Sequence, residues 1–118
     1  MLQELDKKMR AMEMYHGIRI PQGTWAILRL DGRSFSRLTR EHYHMPFDTK
    51  FHKDMLAAAC AVSEEFNTSF TYTESDEISV LLPKDTQLFD RELEKWISIA
   101  ASATSSCFTQ TSGHLATF

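Results

Sequence analysis

TYTESDEISVLL, residues 71–82, reads as two strands interrupted by acids. Tyr72 and Thr73 lead in, and Ile78, Val80, Leu81 and Leu82 lead out; aromatic and aliphatic residues of this kind suit a pleated, half-buried surface. Between them stand Glu74, Ser75, Asp76 and Glu77. Carboxylates inside a sheet lose hydration and repel one another. The spacing therefore predicts a hairpin, with strands at 69–74 and 77–82 and the acids at its turn.

Working outward from the hairpin, TWAILRLD (24–31) predicts a strand that is mostly apolar on both faces, as an internal strand is. It ends in Asp31-Gly32, where glycine permits a tight turn and close approach of a ligand. Ser34 to Glu41 fits a short helical turn, and HMPFD (44–48) is a break, because Pro46 disfavours helix at Met45. Asp48 or Thr49 suits the cap of a helix striped by Phe51, Met55, Ala59, Val62 and Phe66. Pro83 and Lys84 close the second hairpin strand. A long helix is expected from Phe89 through Leu93, Ile97, Ala100, Thr104 and Phe108, its middle (AASATSS, 100–106) small enough for close packing. A last strand is expected from Leu115. Ahead of all this, Leu2, Leu5, Met9 and Met12 stripe an amphipathic helix over 2–15, and IPQG (20–23) is a turn. The order is that of a β-α-β-β-α-β ferredoxin-like split unit, an α+β fold with its first strand central.

The chain has 118 residues, 42% hydrophobic and 25% charged, enough for one core and unlike a disordered composition. Its formal charge of -3 carries no basic signature for nucleic acid and leaves only local patches for such contacts. Cys60 and Cys107 lie in apolar, helix-like segments without a CxxC pair, which predicts buried, reduced thiols. No apolar run is long enough to span a membrane, and MLQELDKKMR lacks the core of a secretory signal, so a cytoplasmic protein without membrane partners is expected. The run GHLATF (113–118) suits either a domain's natural end or the interior of a longer one.

The topology brings Asp31, Asp76 and Glu77 toward one end of the sheet. Unpaired, they would raise one another's pKa, and a hard divalent cation would resolve the conflict. Oxygen donors without a Cys or His cluster favour magnesium or manganese over zinc, and two such ions suit nucleotidyl transfer. The turn GRSFS (32–36) offers backbone N–H groups, two hydroxyls and Arg33 to a triphosphate. Ordinary readings stand beside these: a plain turn after a strand, and a solvated hairpin tip. Phe35 and Phe47 read as core residues; Arg19, Arg29 and Arg37 fit surface ion pairs as well as phosphate contacts. His42 and His44 have no third ligand and carry no metal reading.

RLDGRSFSRLTR (29–40), MPFD (45–48) and ESDEISVLL (74–82) together resemble the tRNA-His guanylyltransferase family, with its bacterial and archaeal guanylyltransferase-like members. KMRAMEMY (8–15), LEKWISIAASATSSCF (93–108) and the closing ATF resemble its flanking segments in the same order. The resemblance implies a polymerase-palm-like enzyme that adds nucleotides to the 5′ end of tRNA, in the 3′-to-5′ direction, using GTP and, for activation, ATP. It implies that Asp31 and Asp76, with the carbonyl of Gly32, hold two Mg2+ ions, and that Glu77 completes the acidic site. Asp31, Gly32, Arg33, Ser34, Phe35, Ser36, Ser75 and Asp76 would hold the triphosphate, and Asp48 would lie near the guanine. Met45 stands where the family commonly has lysine, and Ser36 where the eukaryotic enzymes have histidine; both favour 5′-end repair over strict His-tRNA maturation. The family's proteins are longer and work as tetramers, so the resemblance makes this chain the N-terminal part of a catalytic domain, inactive by itself. Two other readings stay open: a palm-related enzyme on another nucleotide substrate, and a non-catalytic remnant that binds a nucleotide or a partner.

Overall fold

A computed structural model describes residues 1–118. Its elements are α1 (Leu2–Ala11), β1 (Ala26–Asp31), α2 (Phe35–His42), α3 (Thr49–Phe66), β2 (Phe70–Glu74), β3 (Glu77–Leu82), a short 3-10 turn (Leu88–Arg91) and α4 (Leu93–Ser112). The acid-bearing hairpin forms as its sequence suggests: Glu74 pairs with Glu77, and Ser75 and Asp76 make a two-residue turn. Ser75 takes a positive φ of 53°, which the turn demands of its first central residue.

The sheet is antiparallel, in the order β1-β3-β2. Alternation along β3 sends Ile78, Val80 and Leu82 into the core, where the strand meets α3. α3 contributes Met55, Ala58, Ala59, Val62 and Phe66, and α4 contributes Trp96, Ala100, Thr104 and Phe108. Thr104 is wholly buried at no cost in unmade hydrogen bonds, because its hydroxyl donates to Ala100 O at 2.8 Å. The small residues of α4 let it lie directly on α3 and β1.

Several expectations are corrected. β1 is an edge strand of this sheet, not its centre, and the face bearing Ile27 is uncovered. Residues 115–118 form no strand, because their backbone bonds turn to side chains of α4 instead: Ala116 N–H donates to Thr109 Oγ1 and Phe118 N–H to Ser105 Oγ. Only Arg33 N–H, donating to Thr117 O, ties that segment to the end of β1. α4 starts at Leu93 rather than Phe89, and Trp96 takes the core position expected of Ile97. α1 stops at Ala11 and buries none of its residues. Phe47 is exposed, and so is Cys60, while Cys107 is half-buried; both thiols are free and sit off the buried stripes of their helices. What the fold establishes is a mixed α+β domain with a small antiparallel sheet backed on one face by helices.

Candidate functional site

The end of β1 and the hairpin turn are fastened together by backbone. Asp31 pairs in register with Glu77, and the next N–H, that of Gly32, donates to Asp76 O at 2.9 Å. Close approach explains the glycine: a Cβ at position 32 would come within 2.5 Å of the Phe35 ring. That ring cannot yield, being buried between Phe108 and Phe118, with centroids at 5.1 and 5.0 Å.

The three acids are not equivalent. Glu77 is engaged by Arg29, whose Nε lies 3.2 Å from its carboxylate. Asp31, exposed, and Asp76, half-buried, make no ion pair, so two uncompensated carboxylates flank the Gly32–Asp76 bond. With the Gly32 carbonyl they offer oxygen donors alone, a set suited to a hard divalent cation such as Mg2+. Alternation past buried Leu30 places Asp31 on the sheet face away from the helices.

Asp76 also borders a cleft of about 240 Å³, shared with Ser75, Phe35, Ser36, Tyr43 and Asp48 among others. Ser36, Asp48 and the adjacent Ser75 and Asp76 thus come together from three separate stretches of chain. Arg33 and Ser34 sit at the mouth of α2, both exposed. Ser34 adopts a left-handed φ of 58° and its side chain caps nothing, so the first-turn N–H groups of α2 have no hydroxyl acceptor from it. Such a turn favours anions.

Asp48 is held from two sides. Its Oδ1 accepts from Phe51 N–H at 3.0 Å, which caps α3, and its Oδ2 accepts from His44 N–H at 2.6 Å. These backbone donors hold its carboxyl below the usual aspartate range. Behind it, Asp54 is buried and satisfied by Tyr43 Oη–H at 2.7 Å and Lys50 Nζ at 2.8 Å. Burial, and then that hydrogen bond, push the Tyr43 phenol well up. Thr39 and Tyr43 line the cleft without having been anticipated. Thr39 was findable, since it lies three residues beyond Ser36 on one face of α2. Arg19 and Arg37 are surface pairs, with Asp90 and Glu41. His42 and His44 do not share a face: His42 stacks on His114, with centroids 3.7 Å apart.

A small α+β domain that joins an acidic strand end, a glycine turn and a helix mouth beside a cleft has the parts of a nucleotide-handling protein. The comparisons give the particular family. The model of the Thg1, tRNAHis guanylyltransferase, family matches residues 6–116, and the chain belongs to that family. The tRNA(His) guanylyltransferase 1 of Arabidopsis thaliana is 41% identical over 81 residues, 67% of this chain and 14% of that protein. A bacterial tRNA(His) guanylyltransferase (Thg1)-like protein in complex with GTP superposes with a TM-score of 0.90 at 25% identity, covering 98% of this chain and 56% of that one. A second such bacterial structure, in complex with ATP, gives a TM-score of 0.87 over 96% of this chain and 54% of the other, again at 25% identity. The chain therefore spans about half the length of these solved relatives and less of the curated ones.

Proposed function

We propose that residues 1–118 form the N-terminal part of a ferredoxin-like palm whose whole protein adds GTP-derived nucleotides to the 5′ end of tRNA. The observation that carries this reading is the Gly32 N–H to Asp76 O bond, which ties the end of β1, next to the unpaired Asp31, to the hairpin turn whose unpaired Asp76 borders the cleft. Asp31, Asp76 and the Gly32 carbonyl would hold Mg2+, two ions in all, whose charge would offset that of the phosphates and activate the attacking oxygen. Arg33, Ser34, Ser36 and Ser75, with the first-turn N–H groups of α2, bind and orient the triphosphate. Phe35 fixes the position of that turn from below. Asp48, although it already accepts two backbone N–H groups, keeps a free lone pair on each oxygen for the edge of a guanine. Glu77 acts through Arg29, holding the strand end in place.

Met45 and Ser36 favour repair of 5′ ends, with ATP activation of a monophosphate less developed than direct use of a triphosphate. A tetramer in the cytoplasm, with tRNA spanning subunits, completes the reading.

The test is paired, in the protein at its natural length. Asp76→Asn should lower the rate of Mg2+-dependent guanosine addition to tRNA more than about a hundredfold, roughly 3 kcal/mol of transition-state stabilisation. In metal-free buffer its Tm should stay level or rise, because one like charge has gone. Near-wild-type turnover would remove Asp76 from the site. The 118-residue chain assayed alone is expected to add little or no guanosine.

A further inference from the structure

A second group of ligating side chains stands away from the cleft, where the segment after α1 meets the start of α4. His16 Nδ1 lies 3.1 Å from Glu92 Oε1 and 3.2 Å from Glu94 Oε2, and the three donor atoms fall within 4.8 Å of one another. Donors about 2.0–2.1 Å from a tetrahedral zinc stand roughly 3.3 Å apart, so the two separations from His16 already match edges of such a site.

Two features distinguish the group from an ordinary surface ion pair. The first is backbone. Leu93 N–H donates to Ile18 O at 3.0 Å and Ile20 N–H to Arg91 O at 2.9 Å, while Arg19 bridges Glu92, so segments more than seventy residues apart are zipped before their side chains meet. The second is an orphan. Glu92 Oε1 is buried and receives no hydrogen bond; His16 is near it but out of line, and donates instead to Glu94. The Glu92 side chain as a whole is 13% exposed and does not cap α4. One ring nitrogen carries at most one proton and cannot serve two carboxylates at once, whereas a divalent cation between them serves both.

We infer that His16, Glu92 and Glu94 form a transition-metal site, distinct from the Asp31–Asp76 pair and selective for zinc-like ions. An imidazole nitrogen with two carboxylates suits Zn2+ and is a poor set for Mg2+, which prefers oxygen alone and keeps its waters. Two negative charges and a neutral imidazole balance a divalent ion, and water takes the remaining position. The bound ion would clip the segment around His16 to the first turn of α4.

The experiment uses the 118-residue chain stripped by chelator, titrated calorimetrically with ZnCl2 in excess Mg2+. The parent carries Asp31→Asn and Asp76→Asn, which remove the other carboxylate pair. One equivalent of Zn2+ should bind and raise the Tm. His16→Asn and, separately, the exposed Glu94→Gln should each weaken binding at least about tenfold without changing the Tm of the metal-free chain. Failure of the parent to bind Zn2+ overturns the inference, as does binding that neither substitution weakens. Neither result bears on the Asp31–Asp76 site, which is absent from every protein in the series.

Discussion

Asp48 does two jobs with one carboxylate: it starts α3 and it pins the loop that floors the cleft. Its pKa is lowered in the folded chain, chiefly by the N–H of His44 and then by that of Phe51. A carboxyl with a depressed folded pKa stabilises the fold above its unfolded value, and that contribution is lost as pH falls through the folded one. Asp48→Ala should therefore lower the Tm by a few degrees at neutral pH and flatten the acid side of the Tm-against-pH curve. Asp48→Asn, which still caps, should flatten that curve while keeping most of the neutral Tm. Thermal melts across the acid range check both, and an unchanged acid limb in either variant would refute the assignment. The cap was legible because Asp before a helical stripe has a local meaning. So was the approach of the end of β1 to the hairpin turn, where Gly32 N–H reaches Asp76 O, which follows from topology and a glycine. The exposure of Phe47 was not: between Pro46 and a doubly anchored Asp48, backbone rather than hydrophobicity decides where the ring points.

Among the elements, the turn before α4 is the one that the sequence conceals. Phe89, Asp90 and Arg91 have φ of 51°, 54° and 57°, so the chain makes a left-handed turn without a single glycine. Each such residue costs about 1–2 kcal/mol, and the periodicity of apolar residues, which suggested helix from Phe89, is blind to handedness. Arg91 offsets that cost. Wholly buried, it donates to the carbonyls of Ile20, Thr24 and Thr86 at 3.2, 3.0 and 2.8 Å, and stacks over Trp96, whose indole N–H in turn donates to Leu88 O. Arg91→Met should leave those carbonyls unmatched and destabilise the chain by more than about 3 kcal/mol. Arg91→Lys should be nearly as damaging, because an ammonium lacks the planar fork. Urea denaturation measures both; a lysine variant of wild-type stability would show that charge, not the fork, is what matters. The hairpin and α3 were legible for the opposite reason, since alternation and a capped stripe need only local information.

At the scale of the whole molecule the shape is extended. The radius of gyration is 17.5 Å and the extents are 59 × 33 × 18 Å, against roughly 13–14 Å expected for a compact chain of this length. α1 accounts for part of this, with Leu2, Leu5 and Met9 all turned to solvent. Amphipathic periodicity revealed that α1 has an apolar stripe, but nothing local says what a stripe will meet. The same holds for β1, whose two-sided apolar character suggested an interior strand although β3 alone pairs with it.

That unpaired edge has a kinetic signature. In an antiparallel pair, successive residues point their N–H groups alternately toward the partner and away from it. Amide hydrogens along 26–31 should then exchange with deuterated solvent in a period-two pattern, slow and fast by turns, while those of β3, flanked on both sides, are all slow. Any strand that comes to lie against β1, from this polypeptide's own continuation or from another copy, would silence the fast set and leave the slow set as it was. Six amides, followed by NMR, thus report whether the sheet has gained a neighbour.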